Sequence, residues 1–156
     1  MSKQKEKLEA LTFELGLKKI KTLEFYLDFP KEEHSEEIRQ KMKGGIETTI
    51  NIQLENNIVD VSMKVRYFID DNNKEKTYII LNLFIEFLVS PLKDITMVNK
   101  ETNTLVFKNE QIYYTLVGIT YSTIRGVLYE KLAGSMFNDF ILPIRDPKDI
   151  FNKIIN

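Results

Sequence analysis

The chain contains no cysteine. That excludes a disulfide framework, thiolate chemistry and any cysteine-ligated metal site. It has a single histidine, His34, set in a charged stretch. A lone histidine in a charged connection reads as a surface residue, so neither a zinc site nor a histidine-based catalytic triad is expected. Charge of one sign is also lacking. The formal net charge is −1, so no strong field draws nucleic acid or an anionic membrane. There is no P-loop and no G-x-G-x-x-G run, hence no nucleotide-binding signature. The apolar run YIILNLFIEFLV has the length of a strand and contains Asn82 and Glu86, so it does not reach a membrane span. MSKQKEKLEA is polar and leads into no apolar h-region, unlike a signal peptide. DDNNKEK lacks the central glycine and terminal glutamate of a calcium loop. Glu32, Glu33, Glu36 and Glu37 read as a solvated face rather than a catalytic pair. The expectation is a cytoplasmic protein that is not an enzyme and needs no cofactor.

What is present is apolar patterning. At 156 residues the chain is expected to be one domain, 1–156, with residues 1–10 flexible. Apolar residues make up 43% and charged residues 29%, ordinary for a globular fold. LEFYLDF alternates: Leu23, Phe25, Leu27 and Phe29 point one way, Glu24, Tyr26 and Asp28 the other. KEEHSEEIRQKMKGG follows as a charged connection. Ile46, Thr48, Ile50, Ile52 and Leu54 then share a face, and after ENN the alternation resumes from Val59 to Ile69, which predicts an antiparallel hairpin. DDNNKEK turns the chain into TYIILNLFIEFLVS. That strand is apolar on both sides: Ile79, Leu81, Leu83, Ile85, Phe87 and Val89 alternate with Tyr78, Ile80, Phe84 and Leu88. Either both faces are buried or one meets a partner.

From Pro91 to about Asn109 no period is visible, although Leu92, Ile95, Met97 and Phe107 make the segment more apolar than a plain linker. Residues 109–133 predict one long helix, with Ile112, Leu116, Ile119, Thr123 and Val127 near one stripe. Gly118, Ser122 and Gly126 recur on one side of it. Mid-helix glycine costs up to ~1 kcal/mol against alanine, so a close neighbour is expected there. Arg125 could bind an anion, but an ion pair within the fold is the expectation. Gly134 suits the helix end. DPKDIFNKII predicts a short helix capped by Asp146, with Pro147 at its first position and Ile150, Phe151 and Ile154 on its apolar side. Strands followed by helices give an α+β fold: a four-stranded antiparallel meander, a long crossover, one long helix and a short C-terminal helix.

This order of elements, ending in RGVLYEKLAGSMFNDFILPIRDPKDIF, resembles the SecB family of export and antitoxin-linked chaperones. The resemblance runs over nearly the whole chain in length and element order. It is most specific at the end. Gly134 is followed by small Ser135, large apolar residues and, nine positions on, Pro143, then the short amphipathic helix; family members carry that spacing between their two helices. Arg125 matches an arginine common in the family's long helix.

The resemblance implies a homotetramer, a dimer of dimers with long helices sandwiched between sheets, where Gly118, Ser122 and Gly126 would form the oligomer interface. It implies hydrophobic grooves for unfolded client chains. Met136, Phe137, Phe140 and Leu142 from the link between helices would line them, with Leu92, Ile95, Met97 and Phe107 from the crossover and Tyr78, Ile80 and Phe84 on the last strand. The implied function is an ATP-independent holdase for unfolded or nascent proteins. The family's export member is acidic and ends in a tail that contacts the SecA motor. Here the charge is near neutral, the sequence stops at Asn156 after the last helix, and Phe137 stands where a proline is usual. Those departures lean away from SecA and toward an antitoxin as partner. The alternative expectation is a dedicated module for one protein, such as an antitoxin, without general chaperone activity.

Overall fold

The computed structural model describes residues 12–29 and 34–155. The first ten residues, expected to be flexible, lie outside them, as does the Ile154 side chain. Four strands form one antiparallel sheet: β1 (Glu14–Leu27), β2 (Lys43–Gln53), β3 (Ile58–Asp71) and β4 (Lys74–Ser90). A short helix, α1 (Ser35–Lys41), precedes β2. After β4 come α2 (Leu92–Ile95), β5 (Thr96–Asn99), β6 (Thr104–Phe107), the long α3 (Glu110–Leu132) and α4 (Pro147–Ile155). This is the α+β architecture that the sequence predicts.

Within the sheet the meander proper is β2–β3–β4. β1 lies on the far side of β4, giving the order β1-β4-β3-β2, a Greek-key arrangement. The turns carry the residues their geometry requires. Asn72 and Asn73 have φ of 50° and 65°, the left-handed pair of a two-residue β3–β4 hairpin. Asn57, with φ of 53°, ends a single 3₁₀ turn between β2 and β3. Its carbonyl accepts from the Val89 amide at 2.8 Å and its side chain from the Leu92 amide at 3.2 Å, which fixes where the crossover leaves the sheet.

Three elements differ from the sequence reading. β1 starts at Glu14, well before LEFYLDF, because register shifts at Leu17/Lys19 and Thr22/Glu24 interrupt the two-residue period that would have marked it. The charged connection holds α1, whose Glu36 and Glu37 sit in the first turn and Arg39 and Lys41 in the last, as the helix dipole favours. The crossover is not irregular. It holds α2 and a two-stranded β5–β6 hairpin, each too short for a period to show.

The core lies between one sheet face and α3. Val59, Val61, Met63 and Val65 of β3 and Ile79, Leu81, Leu83, Ile85, Phe87 and Val89 of β4 are buried there. Burying each such side chain is worth about 1.5–3 kcal/mol. α3 answers with Ile112, Leu116, Val117, Thr120, Tyr121, Ile124, Leu128 and Leu132. The predicted stripe was partly displaced: Ile119, Thr123 and Val127 are only half-buried. A spacing of four drifts by about 40° per step around a helix that turns 100° per residue, so it leaves the core face. α3 is capped by Asn109, whose Oδ1 accepts from the Gln111 amide at 2.9 Å. Gly134, at φ 77°, takes the left-handed position just past the helix. Asp146 Oδ1 accepts from the Lys148 amide at 2.9 Å, the predicted cap of α4.

Among the described residues, no helix lies on the opposite sheet face. Ile80 and Phe84 are half-buried and Leu88 is exposed. Around them run the ion pairs Lys18–Glu86 at 2.7 Å and Lys64–Glu24 at 3.0 Å.

Candidate functional site

The segment between α3 and α4 explains how the outer strand acquires a cover. Phe137 is fully buried and Leu142 nearly so. Met136 and Phe140 are half-buried, while Ile141 and Ile144 are exposed. The segment forms no regular hydrogen-bond ladder, so α3 side chains satisfy its carbonyls. Tyr121 OH donates to the Pro143 carbonyl at 2.7 Å, and Arg125 Nε donates to the Leu142 carbonyl at 3.0 Å. Arg125 therefore holds backbone rather than an ion pair. Arg39 of α1 reaches the Met136 carbonyl. The chain then turns back into α4, which packs on α3 and on β2.

The two helices meet closely. A Cβ added at Gly118 would lie 2.9 Å from Pro147 Cγ. Gly118 thus makes room for α4 within the same chain. Gly126 has open space around its α-carbon, and Ser122 is exposed beside Thr115 and Ile119.

Along the apolar face of β2, the cover leaves a groove. At one end, Ile46 with Phe140 and Ile150 borders a cavity of about 320 Å³. Tyr67, Tyr121 and Arg145 bring polar groups to it. Tyr67 lies opposite Gly44 in the β2–β3 ladder, and a Cβ at Gly44 would sit 2.7 Å from the Tyr67 ring. The missing side chain is what lets that ring lie across β2. Phe140 meets the Tyr67 ring edge-on at 4.4 Å between centroids. Burial pushes the Tyr67 hydroxyl up to about 12. Burial also raises Tyr121, against the opposing pull of Arg145 and Arg125.

At the other end, Ile50 borders a cavity of about 490 Å³ with Val106, Phe107, Tyr113 and Phe151. The aromatic rings there form a cluster: Phe107 to Tyr113 edge-on at 4.7 Å, and Tyr113 stacked on Phe151 at 4.9 Å. A smaller recess of about 310 Å³ continues past Ile52 and Leu105. Between the ends stands Thr48, whose Oγ1 is buried with no hydrogen-bond partner among the described residues. Leaving a hydroxyl in that state costs about 1–3 kcal/mol.

The predicted client residues divide accordingly. Leu92, Ile95, Phe107, Phe137, Leu142 and Tyr78 are buried in the protomer. Of these, Phe107 still borders a cavity. Tyr78 sits apart, in a cleft with Ile38 and Ile69. Ile80 and Phe84 lie on the opposite sheet face, Met136 is half-buried in the link, and Met97 is exposed on β5. Only Phe140 and Phe107 come to the groove, one at each end. Tyr67, Tyr113, Tyr121, Arg145, Ile150 and Phe151 were missed as groove residues. For the three tyrosines the signal was the recurrence of aromatics with polar tips on elements otherwise packed with aliphatics.

His34 is exposed, and no group of three or more metal-ligating side chains occurs among the described residues. No described helix is long and apolar enough to cross a membrane.

No family model and no curated protein matches the chain. A solved structure described as a protein of unknown function from Streptococcus agalactiae aligns over 78% of this chain and 90% of its own, at 10% identity and a TM-score of 0.40. A likeness of that degree carries no argument about function.

Proposed function

We propose that this chain is an ATP-independent holdase that binds unfolded or nascent polypeptides in the groove along β2 and so prevents their aggregation. The observation that carries the reading is apolar surface left open on a well-packed protomer. Large side chains stand exposed along β1, and aromatic-walled recesses line β2. Open apolar and aromatic surface of this kind marks interaction sites. β2 is also an edge strand, so an extended client segment has backbone groups to pair with as well as pockets for alternate side chains. Several such weak contacts along one client sum through effective concentration.

The proposal includes a cytoplasmic homotetramer, a dimer of dimers. β1 supplies one self-association surface, and the exposed Ser122 and Gly126 positions of α3 supply another. Its clients are chains bound for export through SecA or an antitoxin protected from aggregation. A dedicated module for one such partner is the second reading. It is favoured by the cover already present: α4 packs on β2, and Phe140, Ile141 and Pro143 of the link border the recess at the Ile46 end.

Light scattering from a chemically unfolded model protein, without ATP, tests the function. Suppression near one tetramer per client is expected. Unchanged aggregation at a several-fold excess would end the general holdase reading and leave the dedicated module.

A further inference from the structure

The recess at the Ile46 end of the groove has a chemistry that plain hydrophobic capture does not require. Its walls are Ile46, Phe140 and Ile150, and its polar groups are Tyr67, Tyr121 and Arg145. At about 320 Å³ it lies at the lower end of the range for ligand pockets, about 300–1,000 Å³. That is room for one side chain and its terminus, not for a folded element. The recess is half-enclosed, with Phe140, Ile141 and Pro143 of the link among its walls.

The polar groups are matched to an anion. Among the described residues, Arg145 has no carboxylate within ion-pair distance. Among the described residues the Tyr67 hydroxyl, unlike those of Tyr113, Tyr114 and Tyr121, makes no side-chain hydrogen bond, so it is free to donate into the recess. The Tyr121 hydroxyl already donates to the Pro143 carbonyl, which fixes its ring beside the recess. One guanidinium and one unengaged phenol O–H beside an apolar wall complement a carboxylate attached to an apolar group. Charge-assisted hydrogen bonds from arginine to carboxylate are among the strong ones, and capture of a chain terminus is a known mode of peptide recognition.

We propose that this recess binds the C-terminal residue of a polypeptide, with its apolar side chain against Ile46, Phe140 and Ile150 and its α-carboxylate on Arg145 and the Tyr67 hydroxyl. An internal acidic residue fits less well, because a half-enclosed recess of about 320 Å³ has room for one chain end but little for the two continuing segments that flank an internal residue. The proposal rests on the groove being a polypeptide site and adds a preference for a chain end to it.

The test is fluorescence anisotropy of the full chain with an eight-residue peptide labelled at its N-terminus and ending in leucine. It is run as the free acid and as the C-terminal amide. The acid is expected to bind about tenfold tighter, the effect of one charge-assisted contact. Arg145→Gln, at an exposed side chain, is expected to erase that difference, and Tyr67→Phe to narrow it. Equal binding of acid and amide would overturn the carboxylate site while leaving the groove reading intact. So would an acid–amide difference that survives Arg145→Gln. N-acetyl-leucine displacing the peptide at the peptide's own concentration would assign the site to free carboxylic acids instead of chain ends. Binding of neither peptide would overturn this proposal together with the groove reading.

Discussion

β1 and β2 are the two edges of one sheet, and both turn apolar side chains toward the layer that holds α3. On β2, Ile46, Ile50 and Ile52 are half-buried. On β1, Leu17 is 56% exposed, Ile20 49% and Phe25 38%, although each is paired with a fully buried residue of β4. The difference follows from width. Four strands about 4.8 Å apart make a sheet wider than one helix of about 10 Å can cover. α3 sits over β3 and β4, and α4 with the link covers β2. Among the described residues β1 is covered only in part: Leu15 and Leu27 pack against the core and Lys131 of α3 reaches over the Phe25 ring, while Leu17 and Ile20 stay open. Its apolar face is open there because a covering layer runs out, not because its residues are unsuited to a core.

The polar side of β1 sharpens the contrast. Lys18 and Glu24 are paired with Glu86 of β4 and Lys64 of β3, so that face belongs to this chain. Lysines and bulges are also the devices by which edge strands resist uncontrolled pairing. β1 thus combines a protected edge with an unprotected apolar face. That combination suits a specific partner better than open-ended strand addition.

The largest effect that separates the two edges is expected from paired truncations. Phe137 is fully buried and anchors the link that covers β2. Phe137→Ala is expected to cost about 3–5 kcal/mol in urea unfolding, the usual range for a buried phenylalanine. Leu17→Ala, at an exposed site of a lone protomer, is expected to change stability by no more than about 0.5 kcal/mol. If Leu17→Ala instead costs as much as a core truncation, and the cost depends on protein concentration, a second copy covers β1 in solution.

Much of this contrast was legible in the sequence, and the reasons for the rest are physical. The hairpins, α3, α4 and the caps at Asp146 and Gly134 follow from period and local chemistry, which a single chain displays. β1 was only half legible, because its bulges break the alternation that identifies a strand. The groove was legible as an excess of apolar residues in the link and crossover, but not residue by residue. Burial depends on which element folds over which, and Phe137 and Met136 are neighbours with different fates. Gly118 and Gly126 look alike in sequence. Only the return of Pro147 tells them apart.

That pair gives a smaller effect with two signs. Gly126→Ala places a methyl group in open space within a helix and is expected to stabilise a protomer by up to ~1 kcal/mol. Gly118→Ala brings a methyl group 2.9 Å from the Pro147 ring. It is expected to lose that gain by displacing the start of α4 and to loosen the cover over β2. Thermal melts of both variants decide the matter. A loss at Gly126 equal to that at Gly118 would mean that a neighbouring copy packs on the Gly126 side of α3.

The smallest effect lies in alkaline titration of the covered edge. Tyr67 is held up to about 12 by burial, above the ordinary 10 of a free phenol. The folded state therefore favours the protonated hydroxyl. Its contribution to stability is fully present below pH 10 and is lost as pH rises from 10 toward 12. Tyr121 and Tyr113 are raised as well, so the wild type loses stability at high pH even without Tyr67. The informative quantity is the difference between wild type and Tyr67→Phe in urea midpoint, followed from pH 9 to 11. That difference is expected to shift in favour of the variant as pH rises, since phenylalanine has no proton to lose. A difference that stays constant across the range would place the Tyr67 hydroxyl in water. β2 would then be as open as β1, and the contrast between the two edges would rest on aliphatic burial alone.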